Sequence, residues 1–388
     1  MNRLLKWGLP VVASIFWGTP TRAENPLETH LLVDLVAHNT SAQNISNFTF
    51  FGQSNFDALR VRLFLEKKVS DRVEVFTQFL SNNATSHRVY GAYVRIKSGN
   101  RWGNLEAGLI RLPFGTWGPR TYSDKNPLVG IPLGYSYHTA LIVYRNTLQK
   151  SPAELLSYRG RGGDPSPTFG ISSGLPLVYD NCWNSGFLIF GGNGKWEYMA
   201  GALAGSLSNP VIELNRSRPQ VSGRVGFTPM LGLTVGSSFA YGPYLTKANE
   251  KDLPAGAKAT DYNQTVFGWD LNFERGKFIG HAETMVNRWI HPYVSEPLDA
   301  YSGYVEGVYK FATQFFLAAR YDRMEFSKIT DAAGGESVWD FPLYRVETGL
   351  GYRFDRNVTF KLVGQLTRFP GQPQFNDDIL ATQISTSF

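Results

Sequence analysis

The sequence predicts an all-β fold: a transmembrane antiparallel up-and-down β-barrel of about sixteen strands. Three observations carry the prediction. Segments of about 10–13 residues with alternating polarity recur along the chain, joined in pairs by very short turns. Aromatic residues make up 14% of the 388 and there are 39 Gly, yet mean hydropathy is only −0.22. A helical membrane protein of this size would be far more apolar, whereas strands facing lipid and water alternately average near a soluble value. The chain also ends on an aromatic strand, 377–388. There Leu380, Ile384 and Phe388 share a face with the small Thr382 and Thr386, while Asp378, Gln383, Ser385 and Ser387 are assigned to the other.

The elements follow in order from the N-terminus. Arg3 and Lys6 precede a short apolar run at 9–17, and Thr21-Arg22-Ala23 places small residues at the two positions a signal peptidase reads. Residues 1–23 are therefore expected to be a cleaved leader, leaving 24–388 as the barrel. The apolar run is too short to span a bilayer as a helix. No run of about 18 apolar residues follows, so any crossing falls to strands, because only helices and closed barrels satisfy their backbone in lipid. Loss of the cations Arg3, Lys6 and Arg22 would lower the formal charge of +6 to about +3, a weak bias that offers nothing to nucleic acid. Cys182 is the single cysteine, which excludes an intramolecular disulfide and a multi-cysteine metal site.

A strand at 28–38 opens the series. Seven hairpins follow: 56–68 with 71–80, 88–97 with 101–111, 184–191 with 195–206, 218–228 with 231–243, 263–275 with 277–288, 299–311 with 314–325, and 343–355 with 357–368. Turn residues sit at the joints, as in Gly192-Asn193-Gly194 and Asp355-Arg356-Asn357. An even count puts both ends on one side of the membrane, with short turns alternating with longer loops. In 56–68 the residues Leu59, Val61, Leu63 and Leu65 are read as lipid-facing, against Arg60, Arg62 and Glu66 inside. In 343–355 Tyr344, Val346, Leu350, Tyr352 and Phe354 point out, and Arg345, Glu347 and Arg353 point in. Length separates this from a soluble sandwich. Twelve residues at about 3.3 Å each, tilted near 40°, span roughly 30 Å, about twice an average soluble strand. Two aromatic girdles are expected, Trp102, Trp196, Phe227, Phe311 and Phe388 near the short turns, and Tyr241, Trp289, Phe326, Phe341 and Phe369 near the long loops.

The connection after the fifth strand, 112–183, is far longer than the others, and a loop of that length is usually functional. It is rich in Gly, Pro and aromatics, which suits a rigid coil packed against the wall. Side chains can plug an eight-stranded barrel but not one of sixteen strands, so a water-filled lumen with charges of both signs is expected. Candidates for a constriction are Arg111, Arg120, Asp124 and Lys125 on the loop and Arg60, Arg62, Arg95 and Glu106 on the wall. Arg60, Arg62 and Arg95 on adjacent strands suggest a basic wall with mild anion preference. The sharper alternative for Trp117, Tyr122, Tyr135 and Tyr137 is a sugar-stacking slide.

Together the leader, strand count, long third loop and terminal Phe388 resemble the Gram-negative outer-membrane porins. The start of the loop, Leu112-Pro113-Phe114-Gly115, is similar to that of several porins. The resemblance implies a bacterial outer-membrane location, a third loop folded into or over the pore, and passive diffusion of small hydrophilic solutes and ions. It further implies lipid around the barrel, an assembly machinery that reads Phe388, and a possible homotrimer. A different class of function, a sheath housing a partner such as a multihaem cytochrome, stands as the alternative. No cofactor, metal or enzymatic role is expected. His281 and Glu283 face the lumen, but no nucleophile is set beside a base, and no HExxH, phosphate loop or EF-hand occurs.

Overall fold

The computed structural model describes residues 26–40, 47, 49, 54–99, 102–143, 148–163, 174–180, 182–210, 218–331 and 333–388. The expected leader, 1–23, lies outside them. Sixteen strands form one closed antiparallel barrel. They are β1 (Leu27–Thr40), β2 (Leu59–Lys68), β3 (Val73–Asn82), β4 (Ser86–Ile96), β5 (Asn104–Arg111), β6 (Trp183–Gly192), β7 (Trp196–Leu203) and β8 (Gln220–Met230). The circle continues with β9 (Leu233–Pro243), β10 (Asn263–Arg275), β11 (Phe278–Trp289), β12 (Leu298–Tyr309) and β13 (Phe315–Phe326). It closes with β16 (Leu343–Arg353), β17 (Val358–Arg368) and β18 (Asp377–Ser387). A small pair, β14 (Lys328–Thr330) with β15 (Glu336–Val338), stands outside the barrel in the connection before β16. Three residues per strand are too few to give a periodic signal in the sequence.

Closure is made by β1 pairing β18, Leu32 opposite Ser387 through Thr40 opposite Ile379. Beyond that ladder, Phe388 N donates to Leu31 O at 3.0 Å and Leu31 N to Phe388 O at 2.7 Å, so the last residue completes the seam. Every barrel strand is thereby bonded on both sides, the condition for a sheet to sit in lipid without an open edge.

The predicted faces hold. Leu35, Phe187, Phe267, Trp269, Val305, Leu317, Leu350 and Leu380 are exposed on the outside, while Arg62, Glu347, Arg345 and Lys361 are buried inside. One residue of the closing strand departs from its assignment. Asp378 shares the outward parity of Leu380 and sits at the strand's end, where Arg368 neutralises it. Among the described residues no helix is long and apolar enough to cross a membrane.

The short-turn girdle is present, with Trp102, Trp196, Phe311 and Phe388 exposed. The other girdle is not. Trp289, Phe326 and Phe369 are buried and point inward, leaving Tyr241 as the exposed member of that set. They instead pack within the barrel's long-loop end, Trp289 and Phe326 edge-to-face with Trp339 at ring distances of 5.9 and 4.9 Å, and Phe369 tilted against Tyr137 at 6.0 Å. One apolar core thus fills this end, joining wall residues Leu203, Val266, Met285 and Met324 to loop residues Leu133, Leu141 and Leu177. The expected water-filled lumen with charges of both signs gives way to packed apolar side chains at this end, because inward alternation admits them wherever a loop lies over them.

Candidate functional site

The connection between β5 and β6 builds the site. From Pro113 to Leu133 its backbone is handed from one inner-wall side chain to the next. Ser222 of β8 donates to Pro113 O at 3.1 Å, and Gly115 N donates to Ser238 of β9 at 3.0 Å. Thr116 N donates to Glu283 of β11 at 2.8 Å, and Tyr135 donates to the other oxygen of the same carboxylate. Arg120 pairs with Glu306 and reaches the Tyr304 hydroxyl, both on β12. Tyr122 donates to Gln78 of β3 at 2.8 Å, and Ser123 meets Asp34 of β1 and Ser385 of β18.

Two adjacent strands then read the donors and acceptors of one turn. Lys361 of β17 gives its ammonium to Ser123 O and Asn126 O at 2.6 Å, to Leu128 O at 3.2 Å and to Gln383 at 3.0 Å. Glu347 of β16 accepts from Gly130 N at 2.7 Å and Val129 N at 3.2 Å. Leu133 N, opening a short helical turn (Leu133–Ser136), donates to Asp322 of β13 at 3.1 Å. A buried charge needs a counter-charge or a full set of hydrogen bonds: Glu347 and Asp322 pair with Arg320, and Lys361 is held by four neutral oxygens.

Two glycines explain the path. Gly115 has φ +59°, and a Cβ there would lie 2.4 Å from the Tyr135 hydroxyl. At Gly130 a Cβ would lie 2.4 Å from Gln365 Nε2 and 2.5 Å from Glu347. Both positions need the missing side chain to let the loop touch the wall.

At the long-loop end the same connection is tied to Asp340, which follows β15. Its carboxylate accepts from Ala140 N at 2.8 Å, Gly160 N at 3.0 Å and the Tyr137 hydroxyl at 3.2 Å. Burial pushes this carboxyl up to about 6, against the opposing pull of its amide donors.

The predicted constriction residues separate into three environments. Arg60 and Arg62 are buried, Arg60 on Asn55 and Arg62 beside Asp34 at 3.6 Å and over the Tyr122 ring. Arg95 is half-buried between Glu106 at 2.7 Å and Glu74 at 3.5 Å. These three arginines therefore form no shared basic surface, since each has found its own partner. Arg120 is locked to Glu306, whereas Asp124 and Lys125 are exposed and pair with each other at 3.2 Å. Arg111 stands over Trp183 with its guanidinium 5.8 Å from the ring centroid. Trp117, Tyr135 and Tyr137 are buried in packing, so they offer no stacking slide. His281 bonds Asn272 at 2.7 Å and Glu283 is spent on the loop.

Alternation puts both Glu347 and Lys361 inward, but nothing in sequence separates them from other lumen charges. Their importance comes from a loop more than 200 residues away in the chain.

The loop leaves one region of wall uncovered near the short turns. A cavity of about 410 Å³ lies between Phe114–Pro119 of the loop and strands β4 to β8, bordered by Arg95, Glu106, Phe190, Glu197, Tyr198 and Arg224.

No known family profile matches the sequence, and no curated protein does. Solved structures do match. A loop-deletion variant of OmpT, an outer membrane protein of Vibrio cholerae, is 10% identical with a TM-score of 0.57, over 94% of this chain and 99% of that one. The outer membrane channel DcaP of Acinetobacter baumannii is 11% identical with a TM-score of 0.56, over 96% and 99%. An anion-selective porin from Comamonas acidovorans is 9% identical with a TM-score of 0.55, over 94% and 100%. The Vibrio protein is also solved in a trimer form, at 10% identity and a TM-score of 0.53 over 94% and 99%. The chain has the fold of the outer-membrane porins.

Proposed function

We propose that the protein is a porin-type channel of the bacterial outer membrane. It would pass small hydrophilic solutes and ions by diffusion, with the connection 112–182 as its constriction. The observation that carries this reading is the anchoring of residues 113–133 across the inner wall, from Ser222 on β8 round to Asp34 on β1. A chain segment held inside a sixteen-strand cylinder narrows a lumen too wide to be filled by its own side chains. Lipid surrounds the apolar outer face, and a homotrimer belongs to the proposal, supported by the trimer form of a protein with this fold. Phe388, exposed at the barrel seam, is the residue we assign to recognition by the assembly machinery. The sheath reading is disfavoured, because the interior of the long-loop end is packed with the chain's own residues.

The test is the conductance of purified protein in planar bilayers, before and after deletion of residues 116–178. The deletion is expected to give a larger, less selective current. An unchanged current would remove the loop from the pore.

A further inference from the structure

We infer that the cavity under the start of the long loop binds a small organic carboxylate carrying a flat apolar body. The inference deepens the channel reading and rests on it. The volume of about 410 Å³ is in the range of small-molecule sites. Its lining is divided. Phe114, Leu188, Phe190 and Met199 supply apolar surface, and Arg95, Arg111 and Arg224, with Glu106 and Glu197, supply charge of both signs.

Two of those arginines are already committed. Arg95 is held by Glu106 and Glu74, and Arg224 by Asp270 at 2.8 Å and by Glu197. Arg111 is different. It is half-buried, and among the described residues no carboxylate lies within 4 Å of it; its neighbour is the Trp183 ring. A guanidinium packed on an aromatic face keeps the donors at its edge, and a carboxylate fits that fork with two parallel bonds. Charge decides between oxyanions. One unpaired cation neutralises one negative charge, so a monoanion suits the site better than phosphate. The apolar wall then rewards a hydrocarbon body, which a hydrated inorganic ion lacks.

The experiment measures equilibrium binding to the full chain in detergent by calorimetry, with benzoate, benzyl alcohol and inorganic phosphate as probes. Benzoate is expected to bind saturably, and Arg111→Gln to weaken it about tenfold or more, the loss of a charge-assisted pair. Benzyl alcohol and phosphate are expected to bind wild type and variant alike. Arg111→Lys, which keeps the charge and loses the fork, is expected to fall between them and carries the test should the Gln variant not fold. Phe190→Ala is expected to weaken benzoate while leaving the charge in place. Equal benzoate affinity in wild type, Arg111→Gln and Arg111→Lys would overturn the inference, as would phosphate binding as tightly as benzoate. Bilayer currents are recorded separately. A conducting channel without Arg111-dependent benzoate binding defeats this inference alone, and benzoate binding without any current defeats the channel reading alone.

Discussion

The inner wall of β11 to β18 and that of β4 to β8 are made by the same alternation, yet they differ in what covers them. On the first arc Glu306, Arg320, Arg345, Glu347 and Lys361 are at most 1% exposed. On the second, Arg95 and Arg111 remain half-exposed beside a cavity. The strands do not explain this difference. Polar side chains face inward on both arcs; the long loop packs directly on the first, but at its start it stands off part of the second and leaves the cavity between them. A charge that alternation assigns to water becomes a structural tether once a loop displaces that water, and its energetic weight rises with its desolvation.

The comparison can be broken at its driest point. Arg320 bonds Glu306 at 3.1 Å, Asp322 at 3.2 Å and also Glu347, all fully buried. Arg320→Met would leave Asp322 and Glu347 without their cation and Glu306 with Arg120 alone, a cost of about 3–5 kcal/mol. It is expected to lower the thermal midpoint of the detergent-solubilised barrel by many degrees; the same midpoint as wild type would mean this arc is wetter than described. Lys361→Met removes the donor of three loop carbonyls, worth about 1–3 kcal/mol locally. Here the barrel's melting is expected to change little while single-channel conductance rises and becomes noisier. A quiet trace of wild-type amplitude would show that the tether is redundant.

Asp340 gives the next effect, and it depends on pH. Its carboxyl titrates near 6 when buried under the loop, against 3.8 when released. The packed form therefore holds its proton more tightly than the loosened one. The anchoring is fully present below about pH 4 and is lost as pH rises through 6, a shift of up to about a hundredfold in the loop equilibrium. Channel opening is expected to increase between pH 4 and pH 7 in wild type, and to be flat over that range in Asp340→Asn. A variant with the wild-type pH profile would place the titrating group elsewhere. The smallest effect is expected for Arg288→Ala. Its partner Asp299 is 2.6 Å away, but Arg288 is more than half exposed, so the pair is worth less than about 1 kcal/mol and the midpoint should move by little.

Particular elements show what could be read from the chain. The strand pairs were legible because lipid outside and water inside impose a period of two over ten residues or more, and β10 was located to the residue. The short turns were legible from their Gly and Asn residues. Trp289 and Phe326 were misread as girdle residues because an aromatic near a strand end gives the same signal whether it faces lipid or a buried core. Arg60, Arg62 and Arg95 looked like one basic surface because their nearness along the chain was visible, while β3, which separates β2 from β4, and their own partners were not taken into account. Asp34 and Asn55 lie on other segments, and Glu74 became a partner only through register.

The sequence by itself determined the closed barrel, its strand number, the orientation of each face and the existence of one outsized connection. Each of these is a local property, repeated along the chain or set by a turn of a few residues. Only the tertiary structure decided where that connection lies, which wall charges it buries and that Arg111 has no carboxylate within 4 Å among the described residues. Those outcomes join residues up to more than 200 positions apart, through hydrogen bonds whose partners are chosen by the cylinder's closure.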